Sequence, residues 1–182
     1  MSSLKFISFV SWSQKQRKRS LVLSLALVAL IIFVFIFTGT PLNTIAAPYG
    51  IVSFELAGSA ARADKILNSW DATARERAAF SLGLDFLFIP VYAGTVILGI
   101  HMAAEKIQGR LSAWRSWLTV ALILAGLLDI IENIALLTIL FQSPVTPLPS
   151  IAALCALPKF VLIIIGVVYA LTGTVFTKQE KL

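Results

Sequence analysis

Residues 117–141 read WLTVALILAGLLDIIENIALLTILF. At 1.5 Å of rise per residue, a helix of this length covers the roughly 30 Å of a bilayer's hydrocarbon core. Yet Asp129, Glu132 and Asn133 stand in its middle. Positions i, i+3 and i+4 share one face of a helix, so the three polar side chains point the same way and the leucines and isoleucines point elsewhere. A charge near the bilayer centre costs roughly 2.5–3.5 kcal/mol on insertion scales. The polar face must therefore turn toward other protein, and the stretch reads as one helix of a transmembrane bundle.

Three further apolar runs supply the neighbours. Leu21 to Phe37 carries no charge, the second run extends from about Phe80 to Ala103, and the fourth from about Ile151 to Phe176. Pro90 and Pro158 fall inside the second and fourth runs, where the missing amide should kink a helix. The hydrophobic fraction of 58% and mean hydropathy of +0.90 exceed what a typical soluble domain carries. The start of the chain also has features of a secretory signal, with basic residues, an apolar run and small residues near Ala46 and Ala47. That run is longer than a usual signal core, and more hydrophobic segments follow, so an uncleaved first helix is expected.

Between the first two spans lies the longest polar stretch, 39–78. Pro41, Pro48 and Gly50 break its first part. From about Phe54 to Trp70, residues Leu56, Ala60, Ala63, Ile66, Leu67 and Trp70 fall near one face of a helix. This predicts an amphipathic helix, either on the membrane surface or, more in keeping with its alanine-rich face, packed as a short connector on its neighbours. Asp71 is the expected N-cap of the next helix. QSPVTPLPS at 142–150 predicts a tight turn between the third and fourth spans.

Orientation follows from charge. The formal net charge is +6, and ten of the lysines and arginines gather on one side: five in the arm 1–20, then Lys106, Arg110 and Arg115, then Lys178 and Lys181 in the tail 177–182. The other side has four, Arg62, Lys65, Arg75 and Arg77, offset by Glu55, Asp64, Asp71 and Glu76. The positive-inside rule then places both termini in the cytoplasm and segment 39–78 outside. Trp114 and Trp117 should mark the inner interface, and Trp70 the outer one. The basic arm suits topology first and anionic lipid second, and nothing in it asks for nucleic acid. The expected architecture is thus all-α: a four-helix transmembrane bundle over 21–176 with one external amphipathic helix, in the cell membrane.

The fourth span brings Lys159 to the depth of Glu132, each about nine residues from its outer end, and a short turn makes the two helices antiparallel neighbours. A pair between Lys159 and Glu132 or Asp129 is expected. Asp85 lies about a turn shallower in the second span, and the external Glu55 is placed to fold over the mouth. The candidate ligand-binding set is therefore Glu55, Asp85, Asp129, Glu132, Asn133 and Lys159. Carboxylates in excess of one lysine do not all stay ionised in a low dielectric, so one is protonated or a cation fills the gap.

Three functions fit this set. The first is a pocket for a lipid, amphiphile or small cation; the second is a structural or accessory subunit whose polar groups fix helix packing; the third is intramembrane acid/base catalysis on a lipid or isoprenoid. Expected partners are membrane lipid and a second copy or another membrane protein. Cys155 is the sole cysteine and His101 the sole histidine, so thiolate clusters and histidine-rich metal or haem sites are excluded. No Walker loop, GxSxG or HExxH occurs, and no cofactor is implied. The pair Gly99 and Ala103 matches a small-xxx-small pattern, which is common by chance.

The succession FELA at 54–57, LDFLF at 84–88, LLDIIEN at 127–133 and PKF at 158–160 resembles a group of small uncharacterised bacterial four-helix integral membrane proteins. The likeness covers residues 48 to about 172. It implies the four-span architecture and brings no established activity.

Overall fold

The computed structural model describes residues 12–107, 110–142 and 147–179. All regular structure among them is helical: α1 (Gln14–Gly39), a 3-10 turn (Thr40–Leu42), α2 (Ile51–Glu55), α3 (Ala60–Ser69), α4 (Ala72–Ala104), α5 (Arg110–Gln142) and α6 (Leu148–Gln179). Residues 1–11 of the basic arm, 143–146 of the proline-rich turn and 180–182 of the tail lie outside the described residues.

Four of these helices, α1, α4, α5 and α6, are long and apolar enough to cross a membrane. Each runs beyond its apolar stretch. The basic residues Lys15, Arg17, Lys18 and Arg19 belong to the first turns of α1 rather than to a separate arm. That helix starts at a reciprocal cap: Ser13 Oγ accepts from the Gln16 amide, and the Ser13 amide donates to Gln16 Oε1. Asp71 caps α4 as its sequence suggests, its Oδ1 accepting from the Ala74 amide at 2.8 Å. Helix α4 continues through Pro90 and α6 through Pro158. Each ring leaves the carbonyl four residues earlier, on Phe86 and Leu154, without its helical donor.

Helices α4, α5 and α6 pack on one another, and α1 lies against α4. Small residues let the first group approach closely. A Cβ added at Gly173 would lie 2.6 Å from Ala103 Cα, and one at Gly99 would lie 3.0 Å from Ala170 Cβ. Gly166 is similarly pressed by Leu122 and Val96. The Gly99/Ala103 spacing thus has a structural role after all: it forms half of a small-residue seam whose other half is Gly166, Ala170 and Gly173.

The 39–71 region closes one end of these helices. A continuous helix over 54–70 is not what forms. Gly58, at φ +69°, breaks it, and Ser59 then caps α3 by accepting from the Arg62 amide. The break suits glycine because a side chain strains at positive φ. Ala63, Ile66 and Leu67 of α3 are buried, so this helix is a packed connector. Trp70 does not mark an interface: it is 3% exposed, its indole N–H donates to the Leu42 carbonyl at 2.9 Å, and its ring meets Phe54 edge-on. Trp114 and Trp117 are exposed, as an interfacial pair would be.

Candidate functional site

On α5, Asp129, Glu132, Asn133 and Leu136 are 3%, 0%, 1% and 0% exposed, while Leu127, Ile131 and Ile134 are 53%, 48% and 54% exposed. Polar groups inside and aliphatic groups outside is the reverse of a water-soluble helix. The same outward aliphatic surface covers α6 through Leu154, Leu157, Val161, Ile164 and Val168. Exposed apolar area of this extent suits lipid as its covering.

The inward face of α5 meets Lys159 of α6. Lys159 Nζ donates to Asp129 Oδ1 at 2.6 Å and lies 2.8 Å from Glu132 Oε2. The second contact is an ion pair without hydrogen-bond geometry, because Glu132 Oε1 and Oε2 both lack a hydrogen-bond partner. The expected pairing of Lys159 therefore forms with both carboxylates. The ammonium also stands 5.0 Å from the centre of the Phe160 ring. From α4, Tyr92 donates its hydroxyl to Asp129 Oδ2 at 2.9 Å. Tyr92 was not among the residues singled out above, although it stands seven positions from Asp85, two turns along the same face. Asp85 does not reach Lys159; it accepts from Asn133 Nδ2 at 2.6 Å, as a shallower position on α4 requires.

Glu55 comes from the opposite direction. It ends α2, which is anchored by the buried Phe54 and packs against α5 and α6. Its Oε2 is buried without a hydrogen-bond partner, and its carboxyl adjoins that of Glu132. Burial pushes the Glu55 carboxyl up to about 7; Lys159 opposes this, and Asp85 and Asp129 add to it. All six expected residues thus come together, with Tyr92 as a seventh. Like charges about 4 Å apart repel by about 4 kcal/mol even at an effective dielectric of about 20. Four carboxyl groups clustered around one lysine cannot all be ionised cheaply.

Two cavities stand out elsewhere. One of about 720 Å³ lies between the 44–46 loop and α3, lined by residues that include Asp64, Lys65 and Asn68. One of about 250 Å³ lies between α1 and α4, with Trp12, Ser24, Pro90 and Gly94 on its walls. Neither reaches the carboxylates. Among the described residues, no three acidic, histidine or cysteine side chains converge in a way that could hold a metal ion. No protein-family model, curated protein or solved structure matches this chain.

Proposed function

We propose that the chain is a four-span protein of the cell membrane whose carboxylate cluster accepts the ammonium group of a small amphiphile or lipid. Both termini are cytoplasmic in this reading, the 39–78 segment is external, and the cluster sits in the outer half of the bundle. The observation that carries it is the excess of acid: Glu55, Asp85, Asp129 and Glu132 share one region with a single Lys159, which pairs with only two of them, and Glu55 and Glu132 keep buried oxygens without donors. The Lys159 ammonium supports this reading. It is held by two carboxylates with an aromatic ring beside it, a combination that recognises cations generally. A second ammonium would find the same chemistry at Glu55 and Asp85, with the Tyr92 ring of α4, tilted against Phe88, near the cluster through its bond to Asp129. The separation of the carboxyl groups into different partnerships favours an organic ammonium over a metal ion.

One observation favours the structural reading as the alternative. Lys159, Tyr92 and Asn133 give their donors to carboxylates across three helices, which would fix register with no ligand at all. The experiment is a thermal-shift titration of the purified chain in detergent with a primary-ammonium amphiphile, its uncharged homologue and an anionic one. The ammonium form should raise the melting temperature saturably, and Asp85→Asn and Glu132→Gln should each remove that shift. If no amphiphile discriminates and the substitutions change only the melting temperature, the register reading replaces the binding one.

A further inference from the structure

We propose that Glu55 and Glu132 form a proton-binding site, one proton held between the two carboxyl groups where α2 closes over the cluster. The buried oxygens Glu55 Oε2 and Glu132 Oε1 and Oε2 have no hydrogen-bond donor. Glu132 is 0% exposed, so bulk water does not reach it. Two carboxylates are acceptors only, and neither can satisfy the other unless one carries a proton. With that proton in place, the O–H of one donates to the oxygen of the other, and one negative charge is removed from the most acidic part of the molecule.

Apart from Lys159 Nζ beside Glu132 Oε2, the surrounding groups give Glu55 Oε2 and Glu132 Oε1 no donor. From α4, Tyr92 gives its hydroxyl to Asp129, and Asp85 is itself an acceptor. From α5, the Asn133 amide goes to Asp85 and Asp129 is an acceptor. From α6, the Lys159 ammonium donates to Asp129 and pairs with Glu132 Oε2 at 2.8 Å, which leaves Glu132 Oε1 and Glu55 Oε2 unserved; the Cys155 thiol is a weak donor at best. Glu55 is on the short helix α2 in the connection between spans, while Glu132 is deep on α5. A ligand ammonium entering past α2 would compete with the proton for the same oxygens, so binding would release it. That coupling rests on the reading proposed above; the proton site itself does not.

Without any ligand, the test is a pH titration of the full chain in detergent, followed both by the infrared carbonyl stretch of protonated carboxyl groups and by melting temperature. A raised carboxyl pKa means that the native state keeps a proton that the unfolded chain has lost. Stability should therefore fall as pH rises from 4.5 through about 7 and level off above that. The protonated-carboxyl band should disappear over the same window. Glu55→Gln supplies an amide donor to Glu132, and it should abolish both the band and the slope. Should that variant fail to fold, Glu132→Gln serves, with the same result expected. Asp85→Asn should move the transition to lower pH and keep it. A band and slope that survive Glu55→Gln or Glu132→Gln, or a melting temperature flat across the window, would overturn the proton site. An amine that fails to bind while the band titrates as described would sink only the function proposed above.

Discussion

Helices α1 and α5 are both long and both apolar, yet they sit in opposite circumstances. In the most apolar window of α1 only 11% of residues are buried, against 44% for α5. Val22, Leu23, Leu30, Phe33, Ile36 and Phe37 leave much of α1 apolar and exposed, with Ile31 and Thr38 its buried residues. Its packing on α4 includes an ion pair between Arg17 and Glu105 and an edge-to-face contact of Phe35 with Phe88. Helix α5 carries three buried polar groups, and these give it a defined inner face. Apolarity alone thus sets that a helix can span, whereas the few intramembrane polar residues set which way it faces and what it touches. The interior of α4, α5 and α6 should be sensitive to single changes, and the attachment of α1 should be tolerant.

The largest effect is expected at Lys159. Lys159→Met strands Asp129 and Glu132 as buried charges without a counter-ion, which should cost about 3–5 kcal/mol. Combining it with Asp129→Asn should recover part of that loss, and a double-mutant cycle on the melting or denaturant curve measures the coupling. Strict additivity would mean that the pair is not energetically joined. Next comes the small-residue seam. Gly173→Val forces a side chain against the Ala103 backbone, 2.6 Å from where its Cβ must sit, and should cost about 1–3 kcal/mol. Gly94, whose added Cβ meets nothing within 4 Å, should accept alanine without loss. The smallest effect belongs to α1: Glu105→Gln removes the pair with Arg17, and since the glutamate is 44% exposed the change should stay under about 1 kcal/mol and shrink in salt. A loss at Glu105 as large as that at Lys159 would erase the distinction between the two regions.

How much of this was legible beforehand differs by residue. Asp129, Glu132 and Asn133 are found by helical spacing, and Lys159 by matching depth across a short turn, because both rules follow from fixed helix geometry. The Asp71 cap is legible for the same reason. The break at Gly58 is not, since a glycine in an amphipathic pattern is compatible with either helix or turn until tertiary contacts choose; here the Ser150 hydroxyl donating to the Gly58 carbonyl and the Phe54–Trp70 contact favour the turn. Trp70 misleads because an indole near the end of a polar stretch reads as an interfacial anchor, and only the distant Leu42 carbonyl shows its partner. Tyr92 could have been found, as its seven-residue spacing from Asp85 puts it on the same face of α4. Gly166 and Gly173 could not, for a small residue declares its role only through the backbone it admits.

The central claim is that the polar side of α5 faces protein and its aliphatic side faces lipid, and spin labelling in a bilayer tests it most directly. With Cys155, the only cysteine, changed to alanine, single cysteines at Leu127, Ile131, Ile134, Leu136 and Ile139 can each carry a nitroxide. Molecular oxygen, which concentrates in the acyl region, should relax the labels at 127, 131 and 134 strongly and leave those at 136 and 139 immobile and protected. The account is contradicted if oxygen access is uniform along the helix, or if 136 and 139 are the accessible positions.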